Sequence, residues 1–200
     1  SLATDGTKVW VLTQNSTTAT RLYSWGTTDI AETQIESDAG GNDQDGISDI
    51  DMFCPTEDTC KIVFTDNIDG GEGTNAPILK FADCNDSACS APTVTSLDTD
   101  VGSNTDQAGA SIFCISDGSP TNGSDNCKIV YGDDLQSNNA DLTFIDCTDD
   151  EDCSTNTQTD ILTDFASGTA SVNLHSSIYC PADDNCKFVF NDELNTDIVF

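Results

Sequence analysis

The chain repeats itself, and this constrains its fold more than any other feature. Residues 52–64 read MFCPTEDTCKIVF, residues 112–131 read IFCISDGSPTNGSDNCKIVY, and residues 178–190 read IYCPADDNCKFVF. A second block follows each time: ILKFADCNDSACS at 78–90, DLTFIDCTDDEDCS at 141–154, and a shortened DIVF at 197–200. The opening segment is a cysteine-free copy, with LATDGTKVWV at 2–11 matching the first block and RLYSW at 21–25 matching the second. The copies therefore run over residues 1–46, 47–106, 107–170 and 171–200, and the last stops inside its third strand. Self-similarity of this kind marks small units that share a core with their neighbours, here read as one domain that forms a segment of a larger assembly.

Each complete copy reads as four short strands. The first ends at Leu2, Met52, Ile112 or Ile178, and the second covers Lys8 to Val11, Lys61 to Phe64, Lys128 to Tyr131, or Lys187 to Phe190. The third centres on Tyr23 to Trp25, Leu79 to Phe81, Leu142 to Phe144, or Ile198 to Phe200. A fourth, richer in threonine, covers Thr33 to Ile35, Thr93 to Leu97 and the stretch from Thr157 to Leu162. Ile62-Val63-Phe64 is apolar on both faces, which predicts an inner strand covered on both sides. The polar fourth strand is predicted at the outer edge. The expectation is an all-β protein, a β-propeller of four-stranded antiparallel blades in four repeats, the last blade incomplete. A β-sandwich or β-solenoid is the alternative, and it explains less well why each unit carries its own pair of hairpins.

The ten cysteines fall into close local pairs: Cys54 with Cys60, Cys84 with Cys89, Cys114 with Cys127, Cys147 with Cys153, and Cys180 with Cys186. Recurrence of the same local spacing predicts five disulfides, each bracketing a turn. A metal site of cysteine and histidine lacks its signature, because no C-x-x-C occurs and the single histidine, His175, is near no pair. Disulfides at this density point to an extracellular or cell-surface location.

The recurring CKIVF or CKIVY, the aspartate two residues later, and the L-x-F strand that runs into D-C resemble the repeats of secreted prokaryotic β-propeller proteins. The opening ATDGTKVWV is similar to the D-G hairpin and Trp strand of propeller blades, including the Asp-box type. The likeness covers nearly the whole chain and implies a fold, since propellers host hydrolases, lectins and scaffolds alike. Most copies depart from Asp-box sialidases by lacking the Ser-x-Asp-x-Gly-x-x-Trp string, and the only arginine is Arg21.

The charge excludes several partners. With 36 acidic and 6 basic side chains in 200 residues the formal net charge is −30, so no basic patch can neutralise a nucleic acid. An anionic membrane is a poor partner for the same reason, unless divalent cations bridge the two surfaces. No run of about 20 apolar residues is present to cross a bilayer as a helix. Thirty of the acids are Asp and six are Glu. That imbalance favours turns and hard-cation sites over helices.

The loop GGNDQDGISDID at 40–51 follows the alternation of D-x-D-G-x-x-D calcium loops, with Asp43, Asp45, Gly46 and Asp49 in place. Gly41 replaces the usual first aspartate, which leaves Asp38, Asp51 or a backbone carbonyl to substitute. Corresponding loops hold Asp98, Asp100 and Asp106, and a second repeated set, Asp66, Asp133 and Asp192, ends the second strands. Ca2+ is the cofactor expected at these aspartates, and it would also relieve the self-repulsion of the chain.

Four of the six basic residues, Lys8, Lys61, Lys128 and Lys187, occupy one position in the repeat. That placement predicts structural ion pairs with the repeat-matched Asp83 and Asp146. No nucleophile is marked beside His175, so no catalytic residue is assigned and no enzymatic activity is expected. The composite expectation is an extracellular, calcium-stabilised structural propeller of a cell-surface filament or adhesin. It would assemble with copies of itself, as a homopolymer or tandem array. The competing expectation is a lectin-like propeller that binds surface glycans, with a glycoside hydrolase behind it.

Overall fold

A strand that is apolar on both faces must be hydrogen-bonded on both edges and covered above and below. This is where the segments that follow Lys61 and Lys128 lie, with Ile62, Val63 and Phe64 and Ile129, Val130 and Tyr131 fully buried. The computed structural model describes residues 2–4, 9–15, 19–25, 30–37, 47–56, 59–66, 78–84, 89–99, 109–115, 125–133, 140–147, 152–166, 175–183, 185–192 and 197–199. These residues form strands and connecting turns, with no helix among them.

The first sheet contains β1 (Leu2–Thr4), β2 (Val9–Asn15), β3 (Ala19–Trp25) and β4 (Ile30–Ser37). The second contains β5 (Ile47–Thr56), β6 (Thr59–Asp66), β7 (Ile78–Cys84) and β8 (Thr93–Asp98). The third contains β9 (Ser111–Ile115), β10 (Asn126–Asp133), β11 (Ala140–Cys147) and β12 (Thr157–Ala166). The last has three strands, β13 (Ser176–Tyr179), β14 (Lys187–Asp192) and β15 (Asp197–Val199). In each sheet the strands are hydrogen-bonded in chain order, and the pairings are antiparallel. The architecture is thus all-β, made of successive antiparallel meanders. The polar strand stands at the sheet edge, as expected: in β8 only Leu97 is buried, and residues 157–163 of β12 are exposed. β5 extends beyond its predicted end at Met52, because a hairpin closes between Thr56 and Thr59 after a register shift.

The sheets stack face on face in chain order. Met52, Ile62, Phe64 and Ala82 on one face of the second sheet pack with Ile35 of β4. On its other face Val63, Leu79, Phe81 and Leu97 meet Ile112, Ile129, Tyr131 and Ile145 of the third sheet. The far face of the third sheet, with Val130 and Leu142, packs on Ile178 and Phe190. Side chains of a strand alternate between faces, so the second and third sheets are apolar on both sides. Along the first strands the rings form a ladder, with Phe53 and Phe113 at 4.5 Å between centroids and Phe113 and Tyr179 at 5.1 Å, edge-on.

Five disulfides join Cys54 to Cys60, Cys84 to Cys89, Cys114 to Cys127, Cys147 to Cys153, and Cys180 to Cys186. Three of them cross the connection between the first two strands of a sheet. The other two close the turn after the third strand, where Cys89 and Cys153 adopt left-handed backbone with φ of 49° and 56°. That conformation costs a residue with a Cβ roughly 1–2 kcal/mol. The crosslink holds the turn in place against that cost.

Candidate functional site

The polar groups buried between sheets form the most organised chemistry of the molecule. Antiparallel register places Lys61 of β6 directly opposite Asp83 of β7, and Lys128 of β10 opposite Asp146 of β11. Each lysine forms the ion pair expected from the repeat: Lys61 with Asp83, and Lys128 with Asp146. Lys61 and Asp83 are both buried, at 1% exposure each. A second carboxylate, Asp125, approaches Lys61 at 3.7 Å from the connection that precedes β10. Lys61 therefore ties its own sheet to the next. Removing charges from water is expensive, and here one ammonium lies between two carboxylates that share the compensation. Lys187 is exposed, and Lys8 lies outside the described residues.

Further polar ties run between the same sheets. Asp51 of β5 accepts from the Ser111 hydroxyl at 2.9 Å and from the Ile112 backbone N–H at 3.1 Å. The Tyr131 hydroxyl donates to Asp98 at the end of β8 at 2.6 Å, and Gln158 of β12 donates to the Leu97 carbonyl at 2.9 Å. The third and fourth sheets are joined through Asn126, whose amide donates to Asp183 at 2.6 Å, and through the Ser176 hydroxyl, which donates to the Gly109 carbonyl. The junctions of the third sheet with the second and with the fourth thus combine apolar packing with buried or half-buried hydrogen bonds, a combination that fixes how one sheet is set on the next.

Tyr131 shows how strongly this environment acts. Burial pushes its hydroxyl well above the ordinary phenol range, the negative charge of Asp133 adds to the shift, and the hydrogen bond to Asp98 holds the proton. A folded-state pKa above the unfolded value of about 10 means that this stabilisation is complete below that pH and is lost as pH rises beyond it. Tyr131→Phe is expected to cost about 1–2 kcal/mol near neutrality and to flatten the fall in stability above about pH 10. Urea denaturation across a pH series checks both outcomes.

Of the aspartates expected to bind calcium, Asp38, Asp43, Asp45, Asp100 and Asp106 lie outside the described residues. Asp49, Asp66 and Asp192 belong to β5, β6 and β14, and Asp133 of β10 stands opposite Asp141 of β11 in the register. Asp51 and Asp98 are the acceptors between sheets described above. Among the described residues no three His, Cys, Asp or Glu side chains are grouped closely enough to hold a metal ion.

His175 is exposed beside a polar cavity of about 300 Å3 that Asp51, Ser111, Ser176 and Ser177 also line. Its backbone is anchored to Asn191, whose N–H donates to the His175 carbonyl at 3.1 Å. Asp125 escaped the sequence reading although a signal for it exists: Asp58, Asp125 and Asp184 each stand three residues before a repeat lysine. Comparison with protein-family models, curated proteins and solved structures finds no match to this chain.

Proposed function

We propose that the chain is an extracellular structural unit whose sheets are successive blades of a β-propeller. In this reading it belongs to a cell-surface filament or adhesin and associates with copies of itself. The observation that carries the reading is the face-on-face packing of successive meanders, with the second set on the third and tied to it by Lys61, Asp51 and Tyr131. Those polar side chains serve the junctions, as a scaffold requires. The sequence likeness to secreted prokaryotic propeller repeats supports the fold assignment, and five disulfides fit an oxidising compartment. No residue is assigned to catalysis. Electron microscopy of native material tests the function: strings of globules are expected, and isolated particles that bind on a glycan array would overturn it.

Calcium belongs to the same proposal. In the sequence from Asp38 to Asp51 carboxylates alternate about Gly46, and the stretch from Ile47 to Asp51 opens β5. An ion there would hold the start of the strand that carries the junction to the third sheet. At free calcium 100-fold above its Kd the stabilisation is about 2.7 kcal/mol. Chelation is therefore expected to lower Tm by roughly 5–10 °C, with restoration by calcium and not by equal magnesium. An unchanged Tm by differential scanning calorimetry would leave the loop as a plain turn.

A further inference from the structure

Lys61, Asp83 and Asp125 stand together in the junction between the second and third sheets. The register sets Lys61 of β6 opposite Asp83 of β7, and the Lys61 Nζ forms an ion pair with the Asp83 carboxylate. The Asp125 carboxylate lies 3.7 Å from the same nitrogen. Side-chain exposures are 1% for Lys61 and for Asp83 and 5% for Asp125, so little water reaches any of them. Val63 and Phe81, two positions along each strand on the same face, are fully buried against the third sheet. An amine, a carboxyl group and a second carboxylate held together in a dry, apolar site are the reactants and the proton carrier for amide formation.

We propose that Lys61 and Asp83 are joined covalently, by an isopeptide bond between Nζ and Cγ that forms without an external reagent. The ion pair is the state from which it forms. One proton passes from the ammonium to the Asp83 carboxylate, which leaves an amine beside a carboxylic acid. The Nζ lone pair then attacks Cγ and makes the C–N bond. Asp125 takes a proton from that nitrogen and delivers it to the departing hydroxyl, the C–O bond breaks, and water leaves. One ammonium and one carboxylate thus become one neutral amide and one water, with no oxidant or reductant. Two effects drive a condensation that bulk water opposes: fixed contact raises the effective concentration of the reacting groups, and the product removes a buried pair of charges. Lys61 adjoins Cys60 and Asp83 adjoins Cys84, so the bond completes a covalent path from Cys54 across β6 and β7 to Cys89. Lys128 and Asp146 share this register, but Asp146 is 33% exposed, and water there keeps the pair ionic.

Mass spectrometry of the intact chain, unfolded and with its disulfides reduced, tests the proposal. The mass is expected about 18 Da below that of the sequence, the water lost in the bond. Trypsin is expected to spare Lys61 and to release residues 22–80 joined to residues 81–128, with normal cleavage after Lys128. Asp125→Asn, with the circular dichroism of the folded protein, is expected to slow bond formation about 100-fold or more and so to show its full mass when fresh. Lys61→Arg keeps the cation without an amine nucleophile and is also expected at full mass. Wild-type protein at the full sequence mass, cleaved after Lys61, overturns the proposal. Undiminished linkage in Asp125→Asn overturns the part given to that carboxylate, and linkage at Lys128 instead of Lys61 overturns the argument from burial.

Discussion

Replacing the same lysine in successive repeats produces a graded loss of stability. Lys61→Met is expected to cost about 3–5 kcal/mol, because it strips the ammonium from two buried carboxylates, Asp83 and Asp125. In a chain of this size that is a fall in Tm of roughly 10 °C or more. Lys128→Met costs less, since its partner Asp146 is 33% exposed and water can take over part of the compensation. Lys187→Met leaves Tm of the dilute protein unchanged, because that side chain is already in solvent. Sequence position in the repeat is identical in the three cases. The difference between Lys187 and the other two therefore reports whether a following sheet covers the lysine. Equal losses at all three positions would contradict the face-on-face stacking.

The second large effect is that of reduction. In the loop-entropy picture a crosslink is worth more the longer the loop it closes. Cys114 and Cys127 are separated by 13 residues and their bond is expected to contribute about 3 kcal/mol, while Cys84 and Cys89, separated by 5, contribute about 2 kcal/mol. All five bonds together amount to roughly 12 kcal/mol, comparable to the whole stability of an ordinary domain. Full reduction is expected to unfold the chain at room temperature, as read by near-ultraviolet circular dichroism. The Cys114→Ser/Cys127→Ser protein should be less stable than the Cys84→Ser/Cys89→Ser protein by somewhat under 1 kcal/mol. The left-handed backbone at Cys89 and Cys153 adds a distinct forecast: glycine there is tolerated better than alanine once the bond is gone.

The strands, their order within each sheet, the cysteine pairs and the Lys–Asp pairs were legible in the sequence because each is local. Lys61 and Asp83 lie on adjacent strands of one repeat, and the hairpin register that pairs them is set within that repeat. Junctions between sheets were not legible, because no spacing within one copy says which residue of another copy will arrive. The approach of Asp125 to Lys61 spans two repeats, and so does that of Tyr131 to Asp98. One trace was present: Tyr131 stands where the other copies have Phe64 and Phe190, and a hydroxyl placed among core rings requires an acceptor. Asp51 and Asp98 illustrate the ambiguity of aspartate in such a chain. The same short carboxylate that suits a calcium loop also suits the capture of a hydroxyl or an N–H from a neighbouring sheet.

Face-on-face stacking of the repeats is the central claim, and a double-mutant cycle between Lys61 and Asp125 tests it most directly. Lys61 belongs to the second sheet, Asp125 leads into the third, and the two groups lie 3.7 Å apart. Lys61→Met, Asp125→Asn and the combined variant, each unfolded in urea, yield the coupling energy. The stacked arrangement predicts a favourable coupling of about 0.5–3 kcal/mol. Strict additivity of the two substitutions would contradict it.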